Sequence, residues 1–325
     1  MAGQFNHRST ADEVLDGIDL TGKRALVTGG ASGIGVETVR ALASKGAEVV
    51  IAARNVEQAE AAKTSIAAST GNHNIRIVTL DLASLATVES AAKECLQRFD
   101  RLDFLINNAG VMACPFAQTE EGLELQFGSN HMGHFYFTKC LMPLLLTGAP
   151  SRVVSLTSMA HRMSPVVFDD IQYATRAYDK WQAYGQSKTA NALFAVALNA
   201  RFSGRGVEAF SVHPGAIATP LGRHLAAEEI EQLVKDNAMS ATNPEDAEQG
   251  GIKTVAQGAA TSVYAATAAE LSGKGGAYLE NCGIADVVPN DPTFRGGVRD
   301  YAVDVEQADR LWNVSESLVS QILGS

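Results

Sequence analysis

The sequence predicts an α/β protein: a single doubly wound parallel sheet with helices on both faces. Three observations carry that expectation. Short apolar runs alternate with longer segments of helical periodicity along most of the 325 residues. A glycine-rich turn closes the first run and opens the first helical segment. No internal repeat and no linker rich in proline, serine or charge interrupts the alternation.

Each element follows from local spacing. Arg24 to Thr28 is a short strand-like run that stops at Gly29-Gly-Ala-Ser-Gly-Ile-Gly35. Helical spacing follows through Val39, Leu42 and Ala43 until Gly46 stops it. Ala47 to Ala53 is a second strand, and the alanine-rich stretch Val56 to Ala68 a second helix. Ile75 to Leu80 is a third strand ending at Asp81, and Leu85 to Phe99 is again helical. Phe104 to Ile106 is a fourth strand, ending in Asn107-Asn-Ala-Gly110. A helix over about 123–146 and a strand from Arg152 to Leu156 come next. Another helix covers about 184–202, and the strand Val207 to Val212 ends at His213-Pro-Gly215. Pro244 to Ala266 reads as the last long helix and Gly276 to Leu279 as the last strand. The alternation implies right-handed βαβ units. One domain is expected, with a core over 21–285 and inserts at about 159–183 and 216–243. Extensions flank it over 1–20 and 286–325.

Composition narrows the function. The hydrophobic share of 46% and the 29 glycines suit a buried core with many tight turns. A net charge of −10, with no basic block to offset it, argues against nucleic acid or an anionic membrane as the main partner. Cys95, Cys114, Cys140 and Cys282 are scattered without a metal or redox spacing, and read as reduced structural thiols. Met1 to Asp19 is polar and lacks the apolar region of a signal peptide. No stretch approaches the roughly 18 apolar residues of a membrane span. A soluble, cytoplasmic protein is expected.

In a sheet of this kind, ligands bind outside the carboxyl ends of the strands. The unusual residues fall there. Gly29, Gly33 and Gly35 let backbone approach a pyrophosphate, and the helix start at Ser32 and Ile34 supplies free N–H groups. A plain glycine-rich turn is the alternative, which the strand–turn–helix context disfavours. At the end of the second strand, the acidic residue that would hold a ribose 2′-hydroxyl is replaced by Ala53, with Arg54 beside it. An arginine suits a 2′-phosphate, so NADP is favoured over NAD. A merely solvated Arg54, with Arg76 or nothing serving nearby, is the other reading. Tyr184 and Lys188 stand four apart, on one helix face. A cation beside a phenol favours the phenolate and suits acid–base chemistry, although such pairs are usually solvated surface.

Taken together, these residues resemble the short-chain dehydrogenase/reductase family, compact branch, over about 21–285. Thr28 to Gly35 matches its cofactor loop, Asp81-Leu82 its adenine-side acidic position, and Asn107-Asn108-Ala109-Gly110 its strand-four motif. Ser158, Tyr184 and Lys188 match its catalytic set, and His213-Pro214-Gly215, with Ile217 and Thr219, its nicotinamide-side segment. Ser129-Asn-His-Met-Gly-His-Phe135, Ser158-Met-Ala-His161, Phe168-Asp-Asp-Ile171 and Tyr184 to Asn191 are similar to the retinol dehydrogenase and WW-domain oxidoreductase group. So is the 26-residue separation of Ser158 and Tyr184. Neither a membrane anchor nor a WW module accompanies these motifs, so membrane-bound retinoid metabolism does not carry over.

The resemblance implies a Rossmann-type fold and hydride transfer between nicotinamide C4 and a carbinol or carbonyl carbon. Tyr184 would exchange the proton, Lys188 would lower its pKa and hold the nicotinamide ribose, and Ser158 would place the substrate oxygen. Asn130 would anchor a relay water. Each has a plainer alternative: Ser158 a strand-end cap with Thr157 as the reacting neighbour, Asn130 a helix N-cap, Thr219 a loop cap. His131 and His134 invite a metal reading, but no third ligand sits at suitable spacing, so no metal is expected. Met159, Met163, Val166, Val167, Phe168, Tyr178, Trp181, Leu221 and Leu225 of the inserts would either wall an apolar pocket or pack the insert. The expected substrate is therefore a lipophilic alcohol, aldehyde or ketone. The rival class is a catalytically idle nucleotide-binding regulator or scaffold on the same fold, which the complete catalytic set disfavours. A homo-oligomer through the helices at about 123–146 and 184–202 is possible.

Overall fold

The computed structural model describes residues 4–240, 251–291, 293, 294 and 296–324. Twelve strands form among them. β1 (Arg24–Thr28), β2 (Glu48–Ala53), β3 (Ile75–Thr79), β4 (Phe104–Asn107), β5 (Ser151–Leu156) and β6 (Val207–His213) come first. β7 (Ala216–Ile217) and β8 (Ile252–Lys253) are short, as are β9 (Tyr278–Glu280), β10 (Gly283–Ile284), β11 (Val287–Val288) and β12 (Val298–Arg299). Eight make one sheet in the order β3-β2-β1-β4-β5-β6-β9-β10. Every pairing in it is parallel except that of β9 with β10. The direction of winding reverses between β1 and β4, which opens a crevice at their carboxyl ends.

Parallel strands covered on both faces must be apolar throughout, and β2 and β4 are buried along almost their whole length. One face carries α1 (Ala11–Val14), α2 (Gly33–Ser44) and α3 (Val56–Thr70), together with α9 (Val255–Thr267). The opposite face carries α4 (Leu85–Arg98), α6 (Gly133–Thr147), α7 (Lys180–Phe202) and α10 (Val305–Leu323). The short α5 (Leu125–Phe127) joins this second layer through the buried Phe127, and α8 (Ala227–Ser240) follows β7. All four cysteines are free, three of them buried. Among the described residues no helix is long and apolar enough to cross a membrane.

Several boundaries differ from the sequence reading, each for a physical reason. The helix expected over 123–146 is α5 and α6 joined by a π-helical turn at Gly128–Met132. That turn widens the backbone where Asn130 sits, a feature common at functional sites. α7 starts four residues before Tyr184, because the Asp179 carboxylate accepts the N–H groups of Trp181 and Gln182. The expected helix over 244–266 is seen from Val255, capped by Thr254 and Gln257; its part over 244–250 lies outside the described residues. The last strand of the core, expected at Gly276 to Leu279, runs over Tyr278–Glu280.

The C-terminal extension holds a helix that the sequence reading did not place. Asp304 caps α10 by accepting from the Gln307 amide, and Gly324 ends it in a left-handed conformation. Ala308, Leu311, Trp312, Ser315 and Val319 form one buried stripe on α10. The Trp312 ring stacks on Phe194 of α7 at 6.2 Å and meets Phe135 of α6 edge-on at 5.0 Å. The Arg201 guanidinium lies 4.6 Å from its centroid. Lys139 of α6 and Glu316 of α10 form an ion pair at 2.8 Å. α10 therefore packs on α6 and α7, which overlap the helices offered above for self-association. Trp312→Ala should lower the unfolding free energy by about 3–5 kcal/mol. Urea titration checks this, and a loss under about 1 kcal/mol would mean that α10 adds little to the core.

Candidate active site

The crevice begins where β1 ends. Thr28 is fully buried, and its hydroxyl oxygen accepts the N–H groups of Asn108 at 2.9 Å and Ala109 at 3.0 Å. The Asn108 side-chain amide returns a bond to the Thr28 carbonyl at 2.7 Å. These bonds hold the Asn107–Gly110 loop against the glycine turn. Gly29 adopts φ +65°, which suits glycine. A Cβ on Gly35 would stand 2.3 Å from the Gly29 carbonyl oxygen, so only glycine allows α2 to start this close to β1. Ser32 caps α2 in an extended conformation without a side-chain bond to the helix, leaving the first-turn N–H groups directed at the crevice. This glycine floor at a helix N-terminus fits a pyrophosphate.

The other cofactor-side positions surround it. Thr219 stands over the start of α2, 3.4 Å from where a Gly33 Cβ would lie. Ile217 packs on Gly258 of α9, close to Ile34, and the short β7–β8 pair fixes the segment after Pro214 and Gly215. At the ends of β2 and β3, Arg54 is 73% exposed and 3.7 Å from the Asp81 carboxylate, beside Leu82. Arg76 is instead paired with Glu48, at the amino-terminal end of β2, so it is not available at the crevice mouth.

Ser158, Tyr184, Lys188 and Asn130 converge beside that floor. Ser158 follows β5 and caps the short 3-10 turn Met159–Met163, its hydroxyl oxygen accepting the Ala160 N–H at 3.1 Å. The Ser158 side chain neighbours the Tyr184 phenol closely enough to oppose its upward pKa shift. Thr157 points the other way, donating to the Lys188 carbonyl at 2.7 Å, so it packs the site from behind. Lys188 Nζ donates to the Leu156 carbonyl at 3.2 Å and lies 5.6 Å from the Tyr184 ring centroid. A Cβ on Gly110 would lie 3.0 Å from Asn130 Oδ1 and 3.6 Å from Lys188 Nζ, which places the loop between the two. Asn130 is inside the π-turn rather than at a helix cap. Its Oδ1 accepts from Val111 N, and its Nδ2 donates to Val111 O and to Ser187 Oγ, each within 2.9 Å. The side chain is therefore fully engaged in holding the loop.

One electrostatic expectation is overturned. The sequence reading has Lys188 lowering the Tyr184 pKa, but both groups are buried, and burial is the larger effect. It pushes the phenol up to about 12, with the nearby Ser158 side chain pulling the other way. It pushes the Lys188 ammonium down to about 8. At neutral pH the phenol is protonated and the amine mostly charged.

The two histidines of the H-x-x-H are structural. His134 Nδ1 faces the Asn130 carbonyl at 2.9 Å, so it carries the proton, and Nε2 accepts from the Thr28 hydroxyl at 2.8 Å. His131 meets Ser315 of α10 at 2.8 Å. Burial pushes both rings down, to about 4 and about 3. Among the described residues no group of three histidines, cysteines or carboxylates is placed for a metal.

The inserts divide between the two roles left open. Val166 is buried and Phe168 half-buried on the α7–α10 layer, with the Arg310 guanidinium 4.3 Å from the Phe168 centroid. Trp181 meets Tyr184 edge-on at 6.4 Å, and Tyr178 meets the exposed Phe116 at 5.2 Å. Met163 packs against Gly185, next to Tyr184, with half its surface exposed. Sequence reasoning missed Glu229 of α8, whose carboxylate pairs with Lys180 at 2.6 Å, one residue before Trp181. It also missed the buried Glu124, which takes the N–H groups of Gln126 and Phe127 behind Tyr178. Neither carries a local motif.

A glycine cradle at a helix start beside a half-buried serine and a buried tyrosine and lysine defines an oxidoreductase of nucleotide-binding fold. The short chain dehydrogenase family model matches residues 23–230. The chain is 38% identical to human retinol dehydrogenase 13 over 300 residues, 92% of this chain and 85% of that one. It is 41% identical to a probable oxidoreductase of Streptomyces lividans, over 93% and 99% of the two chains. Among solved structures, an uncharacterised protein from Mycobacterium paratuberculosis aligns with a TM-score of 0.71 at 30% identity, over 96% and 98% of the two chains. RhlG of Pseudomonas aeruginosa, in an active-site complex with NADP, aligns at 0.55 and 26% identity, over 74% of this chain and 98% of that one. This chain belongs to the short-chain dehydrogenase/reductase family.

Gly35→Ala should cut nucleotide affinity at least tenfold, roughly, because the contact it creates is with backbone that cannot move aside cheaply. Titration of NADPH fluorescence measures it. Unchanged affinity in a folded variant would show that the cradle is not the binding site.

Proposed function

We propose that this chain is an NADP-dependent reductase of lipophilic aldehydes or ketones, able to oxidise the corresponding alcohols in reverse. The observation that carries the reading is the convergence of Ser158, Tyr184, Lys188 and Asn130 at one side of the glycine cradle. The complete set also sets aside an idle scaffold. The nicotinamide cofactor, when bound, supplies or accepts the hydride.

The chain's own residues do the rest. Gly29, Ser32, Gly33, Ile34 and Gly35 receive the pyrophosphate, and Asp81, Leu82, Asn108, Ala109 and Gly110 line the adenine and ribose path. Pro214, Gly215, Ile217 and Thr219 flank the nicotinamide, whose ribose meets Tyr184 and Lys188. Arg54 takes the 2′-phosphate: it is exposed, at the right strand end, and held only by a loose, solvated pair with Asp81. Ser158 orients the substrate oxygen toward the phenol. Tyr184 donates its proton to the oxygen as the alcohol forms. A phenol kept protonated by burial suits donation, which supports the reducing direction. Lys188 restores the charge balance, and Asn130 would anchor a relay water. Trp181, Phe116 and Met163 supply the apolar wall for the substrate.

Tyr184→Phe should reduce turnover by roughly 10²-fold or more while NADPH affinity holds. Persistent activity would sink the acid–base role. In the wild type, kcat for reduction should fall as pH rises through about 8, where Lys188 loses its proton. Arg54→Ala should weaken NADPH roughly tenfold or more and leave NADH nearly unchanged. Equal losses for the two cofactors would refute the 2′-phosphate assignment.

A further inference from the structure

His161 is fully buried, three residues after Ser158 in the 3-10 turn, and the proposed chemistry gives it no part. Its two ring nitrogens face partners of opposite kind. Nε2 is 3.1 Å from the main-chain nitrogen of Arg299, which can only donate, so Nε2 is the acceptor. Nδ1 therefore carries the hydrogen and donates to the Ser158 carbonyl oxygen at 2.8 Å, with the Tyr278 hydroxyl farther off at 3.4 Å. Burial pushes the ring pKa down to about 4, with Arg162 and Arg299 acting in the same direction, which keeps that single neutral tautomer.

The histidine is itself clamped. Its carbonyl accepts the Tyr301 hydroxyl at 2.6 Å and the Thr189 hydroxyl at 3.1 Å, Thr189 being the residue after Lys188 on α7. Arg299 is buried in turn, its guanidinium donating to the Pro289 and Phe294 carbonyls at 3.1 Å. A continuous series of bonds thus runs from the C-terminal segment into the turn that carries Ser158. The His161 main-chain amide also donates to the Ser158 carbonyl, at 3.0 Å, so both of these donors to it belong to one residue.

We propose that His161 is a positioning residue, through which the C-terminal segment around β12 sets where Ser158 stands relative to Tyr184. This rests on the role given to Ser158 above. The imidazole fixes the peptide plane of Ser158, and with it the direction of the hydroxyl that meets both the phenol and the substrate oxygen. A shift near 1 Å in such a group costs about 10²-fold in rate.

Two variants separate positioning from mere stability. His161→Asn keeps an N–H donor near the Nδ1 position and loses the acceptor for Arg299. His161→Gln reaches toward Arg299 and leaves the Ser158 carbonyl without its side-chain donor. Each removes one buried hydrogen bond, so a structural role predicts equal effects. The readouts are the 13Cζ resonance of Tyr184, assigned by its loss in Tyr184→Phe, and kcat for NADPH-dependent carbonyl reduction. His161→Gln should move the resonance and lower kcat roughly tenfold or more with NADPH affinity unchanged, while His161→Asn stays near wild type on both. Equal resonance shifts in the two variants, or none in either, overturn the proposal. A wild-type His161 protonated on Nε2 by 15N spectroscopy also overturns it, and needs no variant to fold. The resonance and tautomer readouts need no turnover, so they decide the proposal even where Tyr184→Phe retains activity and the acid–base reading fails.

Discussion

Where β1 and β4 part, the backbone N–H groups at the strand ends need partners, and one hydroxyl supplies them. Thr28 accepts from Asn108 and Ala109 and donates to His134, while His134 donates to the Asn130 carbonyl. A buried amide left without a partner costs about 1–3 kcal/mol, so this small network decides whether the crevice holds its shape. Through it, the glycine floor, the strand-four loop and the π-turn share one register. Asn130 extends that register to Val111 and Ser187, one residue before Lys188.

Burial sets the chemistry of the site more than pairing does. Tyr184 and Lys188 both lose hydration in the crevice, and their pKa values move in opposite directions and apart, to about 12 and about 8. A phenol beside a lysine in water would be drawn down. In a dry pocket the neutral phenol is favoured, and the site is held as an acid. The Ser158 hydroxyl is the one neighbour that opposes this, which makes its placement matter twice, for the substrate oxygen and for the phenol.

The two ends of the chain are not ornaments to the core. The N-terminal extension packs α1 beside α9, and Phe5 meets Tyr264 edge-on at 6.1 Å. The C-terminal extension does more. α10 seals α6 and α7 with Trp312, and β12 with Tyr301 grips the turn behind Ser158. The same 40-residue stretch therefore supports both the helix that carries Tyr184 and the loop that carries its partner.

Local periodicity was enough to place β1 to β6 and most helices, because an apolar strand or a helical stripe is written in adjacent residues. The glycine turn and the Tyr184–Lys188 spacing were legible for the same reason. α10 also had local signals, in Asp304-x-x-Gln307 and the spacing from Ala308 to Val319, yet its docking on α7 did not. The π-turn at Asn130, the Glu229 contact with Lys180, and the inward turn of Thr157 were not written locally at all. His161 meets Arg299 across 138 positions, and Thr28 meets His134 across 106. By itself, the sequence determined which groups the site contains and which strand ends present them. Only the tertiary structure decided their protonation, their orientation and their supports, because hydration and hydrogen bonding depend on neighbours that come together from distant parts of the chain.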